Sequence, residues 1–141
     1  MEKVEYLKDF IDFIQNPPEE DKIEKLEDHL IKLYDIGLNI EYRQGKSPKP
    51  KSNYADLRVI VTQNFNELGP YNDVLEVKEN LGKTELVTGD SIDDLTDIVK
   101  DITDALTLRK EKDILAVIKM DFEFHTKSHI LNLLRFIAND I

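Results

Sequence analysis

Apolar side chains in this chain recur every three or four residues, segment after segment, a period that fits helices and little else. Val4, Leu7, Ile11 and Ile14 mark the first buried helical face. Asn16-Pro17-Pro18 stops that helix, because proline cannot continue the hydrogen-bond ladder. Ile23, Leu26, Leu30, Leu33, Gly37 and Ile40 then alternate steps of three and four along a second helix. Glycine costs about 1 kcal/mol against alanine within a helix. Its place on this inner face, at Gly37, points to close approach by a neighbouring helix.

A third helix is expected from Ser52 or Asn53 to Leu68, with Leu57, Val61, Phe65 and Leu68 inward and Gly69-Pro70 at its end. Residues 71–89 lack that period. Val74-Leu75-Glu76-Val77 and Thr84-Glu85-Leu86-Val87 flank Asn80-Leu81-Gly82, which reads as an irregular segment or a small hairpin. Helix four opens at Asp90 and Ser91, both good N-caps, and Ser91 with Asp94 approximates a capping box. Its inner face is Ile92, Leu95, Val99, Ile102 and Leu106. Arg109-Lys110-Glu111-Lys112 makes the turn. Helix five runs from about Asp113 to Asn139, with Ile114, Ile118, Phe122, Leu133 and Phe136 inward. The expected fold is therefore all-α: an antiparallel bundle of about five helices, with the irregular segment or hairpin between helices three and four.

At 141 residues the chain has room for one domain, spanning 1–141. Cysteine is absent, which removes disulfides, thiolate metal sites and a cysteine nucleophile together. The start, Met-Glu-Lys-Val-Glu, carries acid where a secretory signal would be basic, and no apolar run is long enough to span a bilayer. A cytoplasmic protein is the expectation. Nineteen basic residues stand against 29 acidic ones, a net charge of −10. Such a surface repels nucleic acid and anionic lipid and suits a basic protein surface as partner. Arg43, Lys46, Lys49 and Lys51 run the other way, on a loop with Gly45, Pro48 and Pro50, and read as a solvated connection. Oligomeric state has no signature here, since no second apolar stripe demands a dimer.

Chemistry can sit in two places. His125 and His129 are one helical turn apart, on the same stripe as Ile118, Phe122 and Phe136. Asp121 and Asn132 fall at the edge of that stripe, giving a polar seam of Asp121, His125, His129 and Asn132; Glu123 points nearly the opposite way. Two imidazoles at this spacing can chelate a divalent metal. The bland alternative is a hydrogen-bonded core pair, each ring satisfied by a carboxylate, tyrosine or backbone group. His-Thr-Lys-Ser-His lacks the internal glutamate of zinc proteases, so that activity is excluded.

The second place is an aspartate row: Asp90, Asp93, Asp94, Asp97, Asp101 and Asp104, opposed only by Lys100. The helix dipole favours Asp93 and Asp94 in the first turn by roughly 0.3–1 kcal/mol each. The later three lack that support, and like charges at this spacing repel. Asp93, Asp97 and Asp104 point away from the apolar stripe and are expected in solvent. Asp94 and Asp101 lie on its flank, where they could meet a basic residue or share a cation with the histidines.

The order of these features resembles a known pattern. Asp93-Asp94-Leu95-Thr96-Asp97-Ile98 with Asp101-Ile102 is similar to D-D-L-x-D-I-x-x-D-L, and Phe122, His125 and His129 are similar to F-x-x-H-W-G-x-H. Together they resemble the bacterial family known as domain of unknown function 5063, from about Gly89 to Phe136. Thr126 and Lys127 stand where that family has tryptophan and glycine. The resemblance implies a helical domain that brings both motifs together, with Asp93, Asp94, Asp97, Asp101, His125 and His129 as its notable residues; it implies no activity.

No nucleophile elbow, phosphate loop or thiol assigns a reaction, and only five glycines are present. The leading expectation is a non-catalytic binding or adaptor protein without a cofactor. The alternative is a divalent-metal-dependent hydrolase acting on a small anionic or phosphorylated substrate. In that case His125 and His129 bind the ion, and Asp94 or Asp101 completes the set.

Overall fold

The computed structural model describes residues 2–42, 44–48, 52–74, 82 and 86–141. Three helices come first: α1 (Glu2–Gln15), α2 (Lys22–Asn39) and α3 (Tyr54–Asn64). A two-stranded antiparallel sheet follows, β1 (Pro70–Val74) and β2 (Leu86–Asp90), with Pro70 opposite Asp90 and Val74 opposite Leu86. Helix α4 (Ser91–Ala105) leads to α5 (Glu111–Asp121), a π-helical turn (Phe122–Thr126) and α6 (Lys127–Asp140), which join without a break. The chain is predominantly helical, as its apolar period requires. The hairpin replaces the irregular reading at its base. Leu75, Glu76, Val77, Asn80, Leu81, Thr84 and Glu85 lie outside the described residues, as do Arg43, Lys49, Pro50 and Lys51 of the basic loop.

One core runs through the bundle, with Leu7, Phe10, Leu26, Leu30, Val61, Phe65, Leu95, Ile98, Ile130 and Leu133 almost wholly buried. Gly37 meets the expectation of close approach: a Cβ there would overlap the Phe122 ring. The Gly37 carbonyl accepts a 2.8 Å hydrogen bond from the Lys119 ammonium, which ties α2 to α5 at the same point. Phe122 is thus seated where α2 has no side chain.

Helix α4 lies between α3 and α6, in contact with both. That position explains its burial: Leu95, Ile98, Val99, Ile102 and Ala105 are buried, and so are Ser91, Asp94 and Thr96. The expected Ser91–Asp94 capping box does not form. Asp90 is the N-cap, its carboxylate accepting from the Ile92 amide at 3.0 Å. Ser91 instead turns inward, where its hydroxyl accepts from the Gly69 amide and donates to the Gly69 carbonyl, both at 2.7 Å. Helix α3 also ends four residues short of Leu68, yet Phe65 and Leu68 stay buried in the turn that follows.

The π turn is the feature that the apolar period does not announce. The Lys127 amide reaches back five residues to the Phe122 carbonyl, so one extra residue is held in a single turn. Everything beyond it is rotated by roughly 90° relative to a continuous α-helix. Thr126, Ile130 and Ile137 therefore face inward beside Leu133 and Phe136. His129 is carried off the middle of the stripe onto the flank that faces α4.

Candidate metal centre

The two histidines meet the aspartate row across the α4–α6 contact. His129 Nδ1 lies 2.7 Å from Asp94 Oδ1, and His125 Nδ1 lies 2.7 Å from Asp101 Oδ2. A carboxylate can only accept, so each Nδ1 carries the hydrogen and donates it. Each ring then directs its remaining nitrogen, Nε2, to the other side, and the two Nε2 atoms face each other at 3.1 Å. Asp97 Oδ2 is 3.3 Å from His129 Nε2. One ligand atom from each of Asp97, His125 and His129 lies within 4.8 Å of the other two. Among the described residues this is the one such group of three.

The aspartates that hold the rings are themselves held. Asp94 is buried, and its second oxygen accepts from the Tyr71 hydroxyl at 2.6 Å. Tyr71 reaches it because its cross-strand partner is Gly89: a Cβ at that position would overlap the Tyr71 ring. Asp101 Oδ2 also accepts from the Thr126 hydroxyl at 2.8 Å, in the π turn. The hairpin thus positions one histidine through Asp94, and the π turn positions the other through Asp101.

Burial and charge compete at His129 and act together at Asp97 and Asp121. Burial alone would lower the His129 pKa, but the hydrogen bond to Asp94 and the charges of Asp97, Asp94 and Asp93 outweigh it and raise the pKa. Burial and then the neighbouring Asp93 raise the Asp97 carboxyl above the ordinary carboxylate range. Asp121 is pushed up to about 6, first by burial and then by the charge of Asp101.

The structure brings His125, His129, Asp94, Asp97 and Asp101 together. It departs from the expected positions in three respects. The histidines lie on the rim of the α4–α6 contact rather than in the core; the side chain of His125 is 46% exposed and that of His129 19%. Asp93, Asp97 and Asp104 are not a solvated face, because α3 covers the other flank of α4. Asp93 accepts from the Tyr54 hydroxyl, Asp104 binds Ser52 and the Lys100 ammonium, and Asp97 is half-buried under the imidazoles. The polar seam is divided as well. Asp121 lines a shallow cleft with Gly45, Lys46 and Met120, and Asn132 sits half-buried on α6, outside the bonded cluster.

Sequence reasoning passed over Tyr71, Tyr54 and Thr126. A tyrosine opposite a glycine in a hairpin was the available signal for Tyr71, and it requires the register to be known. The third histidine, His29, belongs elsewhere: it bonds the Tyr6 hydroxyl at 2.6 Å and packs on Phe13. Burial lowers its pKa.

No family model matches the chain, and comparison with the curated proteins gives no match. It is similar to a crystal structure of protein BF1032 from Bacteroides fragilis, with a TM-score of 0.69 and 18% identity. That likeness covers 96% of this chain and 87% of the other. At such identity it carries the fold alone: the bundle described above is an architecture shared with a solved bacterial protein.

Proposed function

We propose that this protein binds one divalent metal ion through His125 Nε2, His129 Nε2 and a carboxylate oxygen of Asp97. The observation that carries this reading is the pair of Nε2 atoms facing each other at 3.1 Å. Both nitrogens are directed there by Nδ1 bonds to carboxylates, the arrangement that fixes metal-ligating imidazoles in the right tautomer. Two nitrogens each about 2.1 Å from one ion, subtending roughly 90–109°, lie about 3.0–3.4 Å apart. The observed separation falls in that interval. Without an ion, two neutral acceptors would be pressed together unless they share a proton.

In this reading Asp94 and Asp101 orient the ligands and do not bind the ion. Asp94 has both oxygens engaged, by His129 and Tyr71, and its burial leaves no path to the ion. Two imidazoles and one carboxylate suit zinc, iron, nickel or manganese better than calcium or magnesium. The resemblance to domain of unknown function 5063 belongs to the same proposal, since both motifs contribute to this one cluster.

A second reading is an adaptor in which the same bonds merely tie α4 to α6 and the acidic surface takes a basic partner. It is favoured by the engagement of both Nδ1 atoms within the protein. Metal content separates the two. Protein purified without a histidine tag should hold close to one equivalent of a transition ion after loading and desalting, and chelator should lower its melting temperature. Less than about a tenth of an equivalent, with no chelator shift, would leave the adaptor.

A further inference from the structure

We infer that the metal centre is coordinatively open and takes a neutral oxygen- or nitrogen-donor ligand, not an anionic one. This rests on the metal-binding reading and goes beyond it, because an ion held only for stability would be closed by protein on all sides.

The count of available ligands is the first argument. Asp94 spends both oxygens on His129 and Tyr71. Asp101 Oδ2 already accepts from His125 and Thr126. Asp93 is engaged by the Tyr54 hydroxyl. Distance then selects the set: among the described residues Asp97, His125 and His129 are the group whose ligand atoms all lie within 4.8 Å of one another, a tripod with two ligands from α6 and its π turn and one from α4. An ion that accepts three protein ligands keeps one position free if tetrahedral and three if octahedral.

The direction of those positions is the second argument. His125 is half exposed, and the tripod sits on the rim of the bundle, so the free positions face water. The residue before it, Phe124, is 81% exposed in the same turn. Among the described residues the outer side is exposed at this point.

Charge decides the class of ligand. Four carboxylates, those of Asp93, Asp94, Asp97 and Asp101, surround a doubly charged ion and two neutral imidazoles. Among the described residues the cations beside the row are paired with other carboxylates: Arg58 with Asp90 at 2.7 Å, Lys100 with Asp104 at 2.9 Å and Arg135 with Asp73 at 3.4 Å. With its ion the centre keeps a net charge of about −2. A phosphorylated substrate, the class first suggested by a metal-dependent hydrolase, meets that field unfavourably. Water, a carbonyl, an amide or a diatomic gas does not.

The test uses the intact protein loaded anaerobically with iron(II), with nitric oxide as the neutral probe and azide and orthophosphate as anionic ones. One iron per chain should convert fully to the nitrosyl species seen by electron paramagnetic resonance. The visible spectrum of the cobalt(II) form should be unchanged by millimolar azide or phosphate. Asp93→Asn should raise azide affinity severalfold and leave nitric oxide binding as it was. Iron that binds without forming a nitrosyl species overturns the open centre and leaves the metal site standing. Phosphate or azide binding at millimolar levels or below overturns the choice of a neutral ligand. No bound metal overturns the inference together with the proposal beneath it.

Discussion

Tyr71 and His129 grip the two oxygens of one buried carboxylate, Asp94, at 2.6 and 2.7 Å. A residue of the hairpin thereby sets the direction in which an imidazole of α6 points. Tyr71→Phe removes one of those bonds without touching a proposed metal ligand. Orienting residues of this kind are worth about 10–100-fold in metal affinity. The variant should weaken zinc binding by about tenfold, measured by competition with a chromophoric chelator, with one equivalent still bound at saturation. Unchanged affinity would show that Asp94 holds His129 without the tyrosine.

Replacing His129 tests the same bond from the other side. His129→Ala leaves the Asp94 carboxylate buried with only Tyr71 to satisfy it. Hydrogen bonds to charged groups are worth about 1.5–3 kcal/mol. The metal-free variant should lose about 2 kcal/mol in urea unfolding, with an unchanged m-value. His125→Ala should lose less, since its bond to Asp101 is largely exposed and Thr126 still serves that carboxylate.

The Gly37–Phe122 contact makes a prediction about packing alone. Any side chain at Gly37 must displace the ring, and overpacking of this kind costs about 1–3 kcal/mol. Gly37→Ala should therefore destabilise the protein even though alanine is the better helix former. Phe122→Leu in the same chain should recover part of the loss, and a double-mutant cycle reads the coupling. Additive effects would contradict the contact.

Asp97, Asp121 and His129 push the pH dependence of stability in one direction and His29 pushes it in the other. The Asp121 pKa is raised from 3.8 to about 6 in the folded state, so the folded form holds a proton that the unfolded form has released. Stability is fully present below 3.8 and is lost as pH rises towards about 6. The raised His129 pKa acts likewise, with its contribution lost as pH rises from 6.5 through the folded value. In metal-free protein these contributions should make stability slope downward with rising pH, against the opposite contribution of His29, whose lowered pKa costs stability as pH falls below 6.5. Asp121→Asn should flatten the lower part of that slope and stabilise the chain at neutral pH by roughly 1 kcal/mol, since partial exposure screens the charge. Carbon-detected titration of the Asp121 carboxyl checks the assignment.

Much of this was legible in the sequence, and the remainder was hidden for physical reasons. The apolar period located every helix, and the glycine at 37 foretold a close neighbour. His125 and His129 were singled out by their spacing, and the aspartates by their lack of a local counter-charge. The roles within the cluster were not legible. A helical wheel drawn for an unbroken helix places both histidines in the core, and one extra residue in a single turn moves them to the rim. The same wheel assigned Asp97 to solvent, because it cannot show that α3 and α6 cover both flanks of α4. Tyr71 was out of reach, since its contact to Asp94 depends on a strand register that residues 71–89 do not announce.

Nitrogen-15 NMR of the imidazole rings during zinc titration tests the metal site most directly. The account predicts that Nε2 of both His125 and His129 shifts to metal-bound values at one equivalent, while both Nδ1 atoms remain protonated against Asp101 and Asp94. Asp97→Asn should then weaken zinc binding without altering those Nδ1–H signals. Rings that ignore the zinc, or that bind it through Nδ1, would contradict it.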